Sequence, residues 1–178
     1  MGEPEPVLIE RKSFHDERGF FLEAFNEREF DSIVGYHVDF VQDNQSRSSK
    51  GVLRGLHYQL APSAQGKLVR VTSGAIFDVA VDVRRSSQTF GQWVGYELSD
   101  TNFRQLWIPP GYAHGFLTLT DTADVLYKTT DYYAPNLERS IRWDDAEIGI
   151  RWPINDGHPD VSEKDQLAPT LSNAEVFE

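Results

Sequence analysis

The sequence contains no cysteine, which removes disulfides, thiolate metal sites and cysteine nucleophiles at once. Positive charge is scarce as well: 17 lysines and arginines stand against 28 aspartates and glutamates, a formal net charge of -11. Broad binding to nucleic acid or to an anionic membrane needs a positive field over a large surface, so neither is expected as a partner. A local basic pocket is compatible with that balance. No apolar run is long enough to span a bilayer, and the opening Met1-Gly2-Glu3-Pro4-Glu5-Pro6 lacks the basic flank and apolar stretch of a signal peptide. A cytoplasmic location is therefore expected. Pro6 stands where an N-myristoylation motif starting at Gly2 wants Ser or Thr.

What is present suits a globular chain. With 178 residues, 39% of them hydrophobic and 12% aromatic, the sequence can bury one core, and it is expected to form a single domain over 1–178. It shows no repeat or low-complexity stretch. The dominant period is two. Residues 75–83 place Phe77, Val79, Val81 and Val83 on one face and Asp78 and Asp82 on the other, as a strand does. Similar short strands are predicted at 20–25, 38–44, 52–59, 67–72, 93–98, 104–108, 115–120, 123–130 and 140–143. Turn signals such as Ser73-Gly74 and Pro109-Pro110-Gly111 separate them. Many short strands at close spacing indicate a sandwich or barrel. Helix is sparse: 27–34, with Gly35 as its C-cap, is the main candidate, and 144–148 and 162–168 could hold a turn each, the latter capped by Ser162.

Two of the five histidines sit in suggestive company. His57 follows Arg54 by three residues, so the two would face opposite ways on a regular strand, and a bulge at Gly55 would bring them to one side. His114 follows Pro109-Pro110-Gly111, and a proline-glycine turn delivering a histidine onto a strand is similar to the second motif of cupin barrels. A metal cupin would gather two or three histidines and a carboxylate. Here the first motif offers only His57, with Tyr58 and Gln59 beside it, so no metal is expected.

The resemblance becomes specific over a series of blocks in order: Phe14 to Glu23, Phe40 to Asn44, Gly51 to Gln59, Gln65 to Val71, Ile76 to Asp82, Gln105 to Phe116, Tyr127-Lys128, Tyr132 to Pro135 and Ser162 to Asp165. Together they cover nearly the whole chain and resemble the dTDP-4-dehydrorhamnose 3,5-epimerase family. The resemblance implies a mainly all-β, cupin-like antiparallel jelly roll with a few short helices. It also implies a homodimer that needs no metal or cofactor. The implied reaction inverts carbons 3 and 5 of dTDP-4-dehydro-6-deoxy-D-glucose through enolates, giving dTDP-4-dehydro-β-L-rhamnose. The alternatives are a 3-epimerase acting on a related sugar and a non-catalytic nucleotide-sugar-binding jelly roll.

Inverting a carbon beside a ketone requires a base on one face, a proton donor on the other, and a cation or hydrogen-bond donor at the enolate oxygen. On the family's pattern His57 resembles the base, Asp165 the carboxylate that orients it, Tyr127 the acid and Lys67 the enolate-stabilising cation. Taken singly, Tyr127 would be assigned to a core and Lys67 to the surface. Arg18, Arg54 and Lys164 resemble ligands for diphosphate, nucleotide or sugar oxygens, and His114 a partner of the sugar or enolate. Gln42 and Asn44 would share a strand face suited to sugar or thymine; Asp43, between them, joins the candidate contacts, although an exposed role explains it equally well. Phe14, Phe21 and Tyr133 supply aromatic surface, and Glu138 is a further contact. The family's segment from Phe14 to Glu23 reaches the neighbouring subunit's pocket, which brings in Arg18 and Glu23. Asp78, Asp82 or both would lie beside Lys67.

Overall fold

The structure, a computed structural model, describes residues 4–154 and 157–178; Gly2 lies outside them. Among the described residues the strands are β1 (Val7–Ile9), β2 (Ser13–Asp16), β3 (Gly19–Leu22), β4 (Gln42–Ser49), β5 (Val52–Gln59), β6 (Lys67–Ser73), β7 (Ala75–Asp82), β8 (Trp93–Ser99), β9 (Gln105–Ile108), β10 (Tyr112–Thr118), β11 (Thr122–Thr129), β12 (Glu138–Ser140) and β13 (Asp160–Val161). Two short helices, α1 (Glu27–Val34) and α2 (Glu163–Gln166), and one 3-10 turn, Leu171–Asn173, accompany them. One sheet runs β1-β9-β6-β11-β4 and a second runs β12-β5-β10-β7-β8, with β13 added in parallel to β5. The remaining pairings are antiparallel, the arrangement of a jelly roll.

Between the two sheets the core is filled by Val69, Val71, Leu106 and Ile108 from the first and Ile76, Ala80, Leu98 and Phe116 from the second. Val79 and Val81 of β7, with Val83 just beyond its end, face away from that space. They pack with Leu56, Tyr58 and Ala113 beneath a layer from the C-terminal third of the chain: Ile141, Ile148, Leu171, Ala174 and Val176. Both faces of β7 are thus buried, and the face bearing Asp78 is the one turned into the barrel. The C-terminal layer is pinned by Tyr58, whose hydroxyl donates to the Glu175 carbonyl at 2.6 Å. Asp145 adds a second fastening, accepting from the backbone of Ile148 and Leu171.

Helix α1 has the bounds its pattern predicts. Asn26 accepts from the Glu29 amide at its start, and Gly35 takes φ 84° at its end, a left-handed angle that costs a glycine nothing. Segment 144–148 forms only turns, while Ser162 caps α2 by accepting from the Asp165 amide.

Several strands differ from their predicted bounds. The stretch 38–44 is extended only from Gln42, because Val38 leaves α1 to pack with Phe30 and Trp107. Strand β4 then continues to Ser49 through Gln-Asp-Asn-Gln-Ser-Arg-Ser-Ser, which has no apolar alternation to reveal it. Strand β10 begins at Tyr112, directly after the Pro-Gly turn, and β12 ends at Ser140 where 140–143 is predicted. The short β1, β2 and β13 carry too few residues to show a period.

The bulge expected at Gly55 is present. His114 pairs with His57 and Phe116 with Arg54, so three steps along β5 match two along β10. Leu53, Leu56 and Tyr58 pack outward, leaving Arg54 and His57 on the inner side of β5 despite their odd spacing. Only glycine fits there: φ is 129°, and a Cβ would stand 2.5 Å from the Cα of Gly115 on the neighbouring strand.

Candidate active site

His57 on β5 and Tyr127 on β11 come from opposing sheets and line one cavity of about 260 Å3. Lys67, Gln42 and Asn44 line it from the first sheet, and Tyr133 and Glu138 from the segment that leads into β12. Pairing explains the grouping on the first sheet. Tyr127 lies opposite Asn44 on one side and Val69 on the other, and Thr129, two residues on, lies opposite Gln42 and Lys67. With period two, all four polar side chains share the inner face.

The imidazole of His57 is held from behind. Its Nε2 lies 2.5 Å from Asp165 Oδ1, and the other oxygen of Asp165 accepts from the Gly55 backbone N–H at 3.2 Å. The carboxylate is almost wholly buried; burial alone would raise its pKa, but His57, the Gly55 amide and Ser162 outweigh that and hold it below the ordinary range. Ionised at neutral pH, Asp165 fixes the orientation of the ring. The Nδ1 of His57 has no hydrogen-bond partner among the described residues, and the side chain is 29% exposed. That nitrogen is the one left to exchange a proton.

Across the cavity, burial pushes the Tyr127 phenol up, opposed by Arg54 and reinforced by Glu138. It therefore carries its proton at neutral pH. Its hydroxyl makes no hydrogen bond to any described residue. Lys67 is half-buried, and desolvation pushes its ammonium down to about 8 although Asp78 and Glu138 favour the charge. Its Nζ donates to the His57 carbonyl at 3.4 Å. Because the folded pKa lies below the free value, the cation is nearly complete a unit or more below about pH 8, half lost there, and lost as pH rises through it. If the Lys67 charge stabilises an enolate, kcat/KM in the free enzyme is expected to decline about tenfold per pH unit above that point, and Lys67→Arg should move the limb upward. A pH profile flat to about pH 10 would count against the role.

His114, paired with His57 on the next strand, is buried, and its Nε2 lies 2.6 Å from Asp78 Oδ1. It does not line the cavity. Of the two aspartates on β7, Asp78 is the one whose charge acts on Lys67. Asp82 is occupied by Arg84, Ser87 and Thr89, which hold its carboxyl down at about 2 against the effect of burial.

At the rim, Glu138 accepts from Lys164 Nζ at 2.5 Å and from the Tyr133 hydroxyl at 3.1 Å. Burial raises its pKa, but Lys164, Tyr133 and the His57 imidazole keep it below the ordinary value. Lys164 and Asp165 are neighbours on α2, so one four-residue helix reaches both the rim and His57. Arg54 Nε donates to Ser48 Oγ at 2.9 Å, leaving an exposed guanidinium beside the Tyr127 end of the cavity.

Other predicted contacts lie elsewhere. Asp43 points outward, paired with Lys128 at 3.0 Å. Phe14, Arg18 and Phe21 stand on the separate β2–β3 hairpin, Glu23 just follows it, and all four are exposed and away from this chain's cavity. Among the described residues Arg18 pairs only with Asp16, at the hairpin tip. The cavity also receives Gln59 and Gln65, which the motifs do not single out as site residues. Their signal was position alone: Gln59 is two residues from His57 on the same face, and Gln65 two from Lys67.

The sequence profile described as dTDP-4-dehydrorhamnose 3,5-epimerase matches residues 4–173. The dTDP-4-dehydrorhamnose 3,5-epimerase of Pseudomonas aeruginosa is 56% identical over 98% of this chain and 95% of its own length. Among solved structures, an epimerase of Legionella pneumophila in complex with dTDP-4-keto-L-rhamnose superimposes with a TM-score of 0.91 at 52% identity, covering 94% of this chain and 88% of that one. A 3'-monoepimerase of Streptomyces bikiniensis in complex with dTDP-quinovose is more distant in sequence, with a TM-score of 0.87 at 35% identity over 94% of this chain and 84% of that one. By fold, by profile and by identity along nearly its whole length, the chain belongs to the dTDP-4-dehydrorhamnose 3,5-epimerase family.

Proposed function

We propose that the protein is a 3,5-epimerase acting on dTDP-4-dehydro-6-deoxy-D-glucose, in which His57 removes and Tyr127 returns protons on opposite faces of the sugar. The observation that carries this reading is the placement of an aspartate-held imidazole and a protonated phenol on opposing sheets of one cavity. A keto-sugar between them would have its C–H bonds directed at the imidazole, with Lys67 near the carbonyl that becomes an enolate. Abstraction creates an imidazolium stabilised by Asp165, and donation from Tyr127 to the other face completes inversion; once the imidazolium has released its proton to solvent and the phenolate has taken one up, the same sequence at the second carbon gives the 3,5 product. Arg54 and Lys164 flank the cavity as cationic partners for the diphosphate, and His114, held by Asp78, stands beside His57 on the inner face of the next strand.

The exposed aromatic hairpin fits a homodimer in which Phe14, Arg18, Phe21 and Glu23 complete the pocket of a second copy. Three exposed phenylalanines, 14, 20 and 21, on one hairpin, of which Phe20 has Phe103 as a ring neighbour, are unusual for a surface left in water. In deuterated water the protein should place deuterium at both carbon 3 and carbon 5 of the keto-sugar. Label at carbon 3 alone would favour the mono-epimerase alternative, and binding without any exchange would leave a sugar-nucleotide receptor. In the same preparation sedimentation should give the mass of two chains; a fully active monomer would remove the proposed contribution of the hairpin.

A further inference from the structure

The loop that carries Tyr133 over the cavity has little to hold it by packing. It pairs with no strand among the described residues, and Tyr132 and Tyr133 are 64% and 55% exposed. Yet four consecutive residues have a backbone group fastened by a glutamine side chain. Gln65 Nε2 donates to the Asp131 carbonyl at 2.8 Å, and Gln59 Nε2 donates to the Tyr132 carbonyl at 3.2 Å. The Tyr133 amide donates to Gln42 Oε1 at 3.2 Å, and the Ala134 amide donates to Gln59 Oε1 at 2.8 Å. The three glutamines come from β4, from β5 and from the segment leading into β6, so the loop is tied to both sheets at once.

We infer that Gln42, Gln59 and Gln65 form an amide clamp that positions the Tyr133 loop over the cavity mouth and so sets how tightly the sugar nucleotide is held, without a part in proton transfer. The inference rests on the epimerase reading above. Gln59 is its centre. It is 4% exposed, and its second N–H donates to the Ser63 carbonyl at 2.8 Å, so both amide hydrogens and the oxygen are committed to the protein. A glutamine with no donor to spare is poorly suited to bind substrate and well suited to hold a loop. Gln42 also donates an N–H to Asn44 Oδ1 at 2.9 Å, which links the clamp to an amide already facing the cavity. The consequence reaches the site through Tyr133, whose hydroxyl donates to Glu138 at the rim.

These side chains are positioning residues, and their effect should be seen in KM rather than kcat. Gln59→Leu keeps the bulk and removes all three hydrogen bonds; it is expected to raise KM for the dTDP keto-sugar about tenfold while kcat stays within about twofold. Tyr133→Ala should raise KM by a similar factor. The double variant should then be no worse than Tyr133→Ala alone, since the clamp acts only by way of that ring. Gln65→Leu, which loses a single bond at a half-buried site, should show the same signature with a smaller rise and carries the same cycle should Gln59→Leu not fold. Multiplying effects in the double variant, or a fall in kcat at unchanged KM, would overturn the clamp while leaving the epimerase intact. A wild-type protein that turns over no keto-sugar would sink the epimerase reading itself, and the clamp's role with it.

Discussion

His57→Ala is expected to lower kcat by about 10³-fold, roughly 4 kcal/mol of barrier, and to abolish deuterium entry at both carbons. The magnitude follows from removing the general base, for which no other group in the cavity substitutes: Lys67 is cationic at neutral pH, and Glu138 is engaged by Lys164 and Tyr133. The substitution also strips the nearly buried Asp165 carboxylate of its His57 partner, leaving it the Gly55 amide and Ser162. Lost activity could then reflect a damaged fold. His57→Gln separates the two effects, because its amide nitrogen reaches the place of the imidazole Nε2 and can still donate to Asp165 Oδ1 but accepts no proton near neutral pH. The glutamine variant should melt close to wild type and be as inactive as the alanine one. Ordinary turnover in a folded His57→Gln protein would end the assignment of the base.

Removing the phenol should have a different signature. In Tyr127→Phe the base, its carboxylate and the Lys67 cation all remain, so protons are still abstracted and returned by the same imidazole. Inverted product is expected to fall about 10²-fold or more, while deuterium continues to enter the unreacted sugar with retained configuration. The hydroxyl bonds no described residue, so stability should change by less than about 1 kcal/mol. Exchange and inversion read by NMR on one sample distinguish the roles. If both disappear together, Tyr127 acts in the first proton transfer and the division of labour between the two faces is wrong. Together these variants test the central geometric claim, that base and acid approach the ring from opposite sheets.

Much of the second sheet was legible one strand at a time. The alternation in 75–83 marks β7, and the bounds of α1 follow from the helical spacing of Phe30, Ile33 and Val34 and from Gly35, with the Asn26 cap seen only in the structure. Strand β4 was partly hidden, because a strand lining a polar cavity carries glutamine and asparagine where a core strand carries valine. For the same reason the amide clamp was invisible. Glutamines at 42, 59 and 65 read as ordinary polar residues until the folded chain brings all three onto residues 131–134. The inward face of β7 was ambiguous too: alternation says that two faces differ, and it took the C-terminal layer over Val79 and Val81 to show which one points into the barrel.

By itself the sequence determined what is local and what is carried by motif: short strands from period two, a capped helix, the Gly55 bulge from a three-residue spacing, and family membership from ordered blocks. Only the tertiary structure decided which residues meet. Asp165 reaches His57 across 108 positions, and Tyr127 faces His57 because β11 and β5 lie in opposing sheets. Strand order and register arise from long-range pairing and from burial on both faces of a sheet, and neither leaves a trace in the spacing of neighbouring residues.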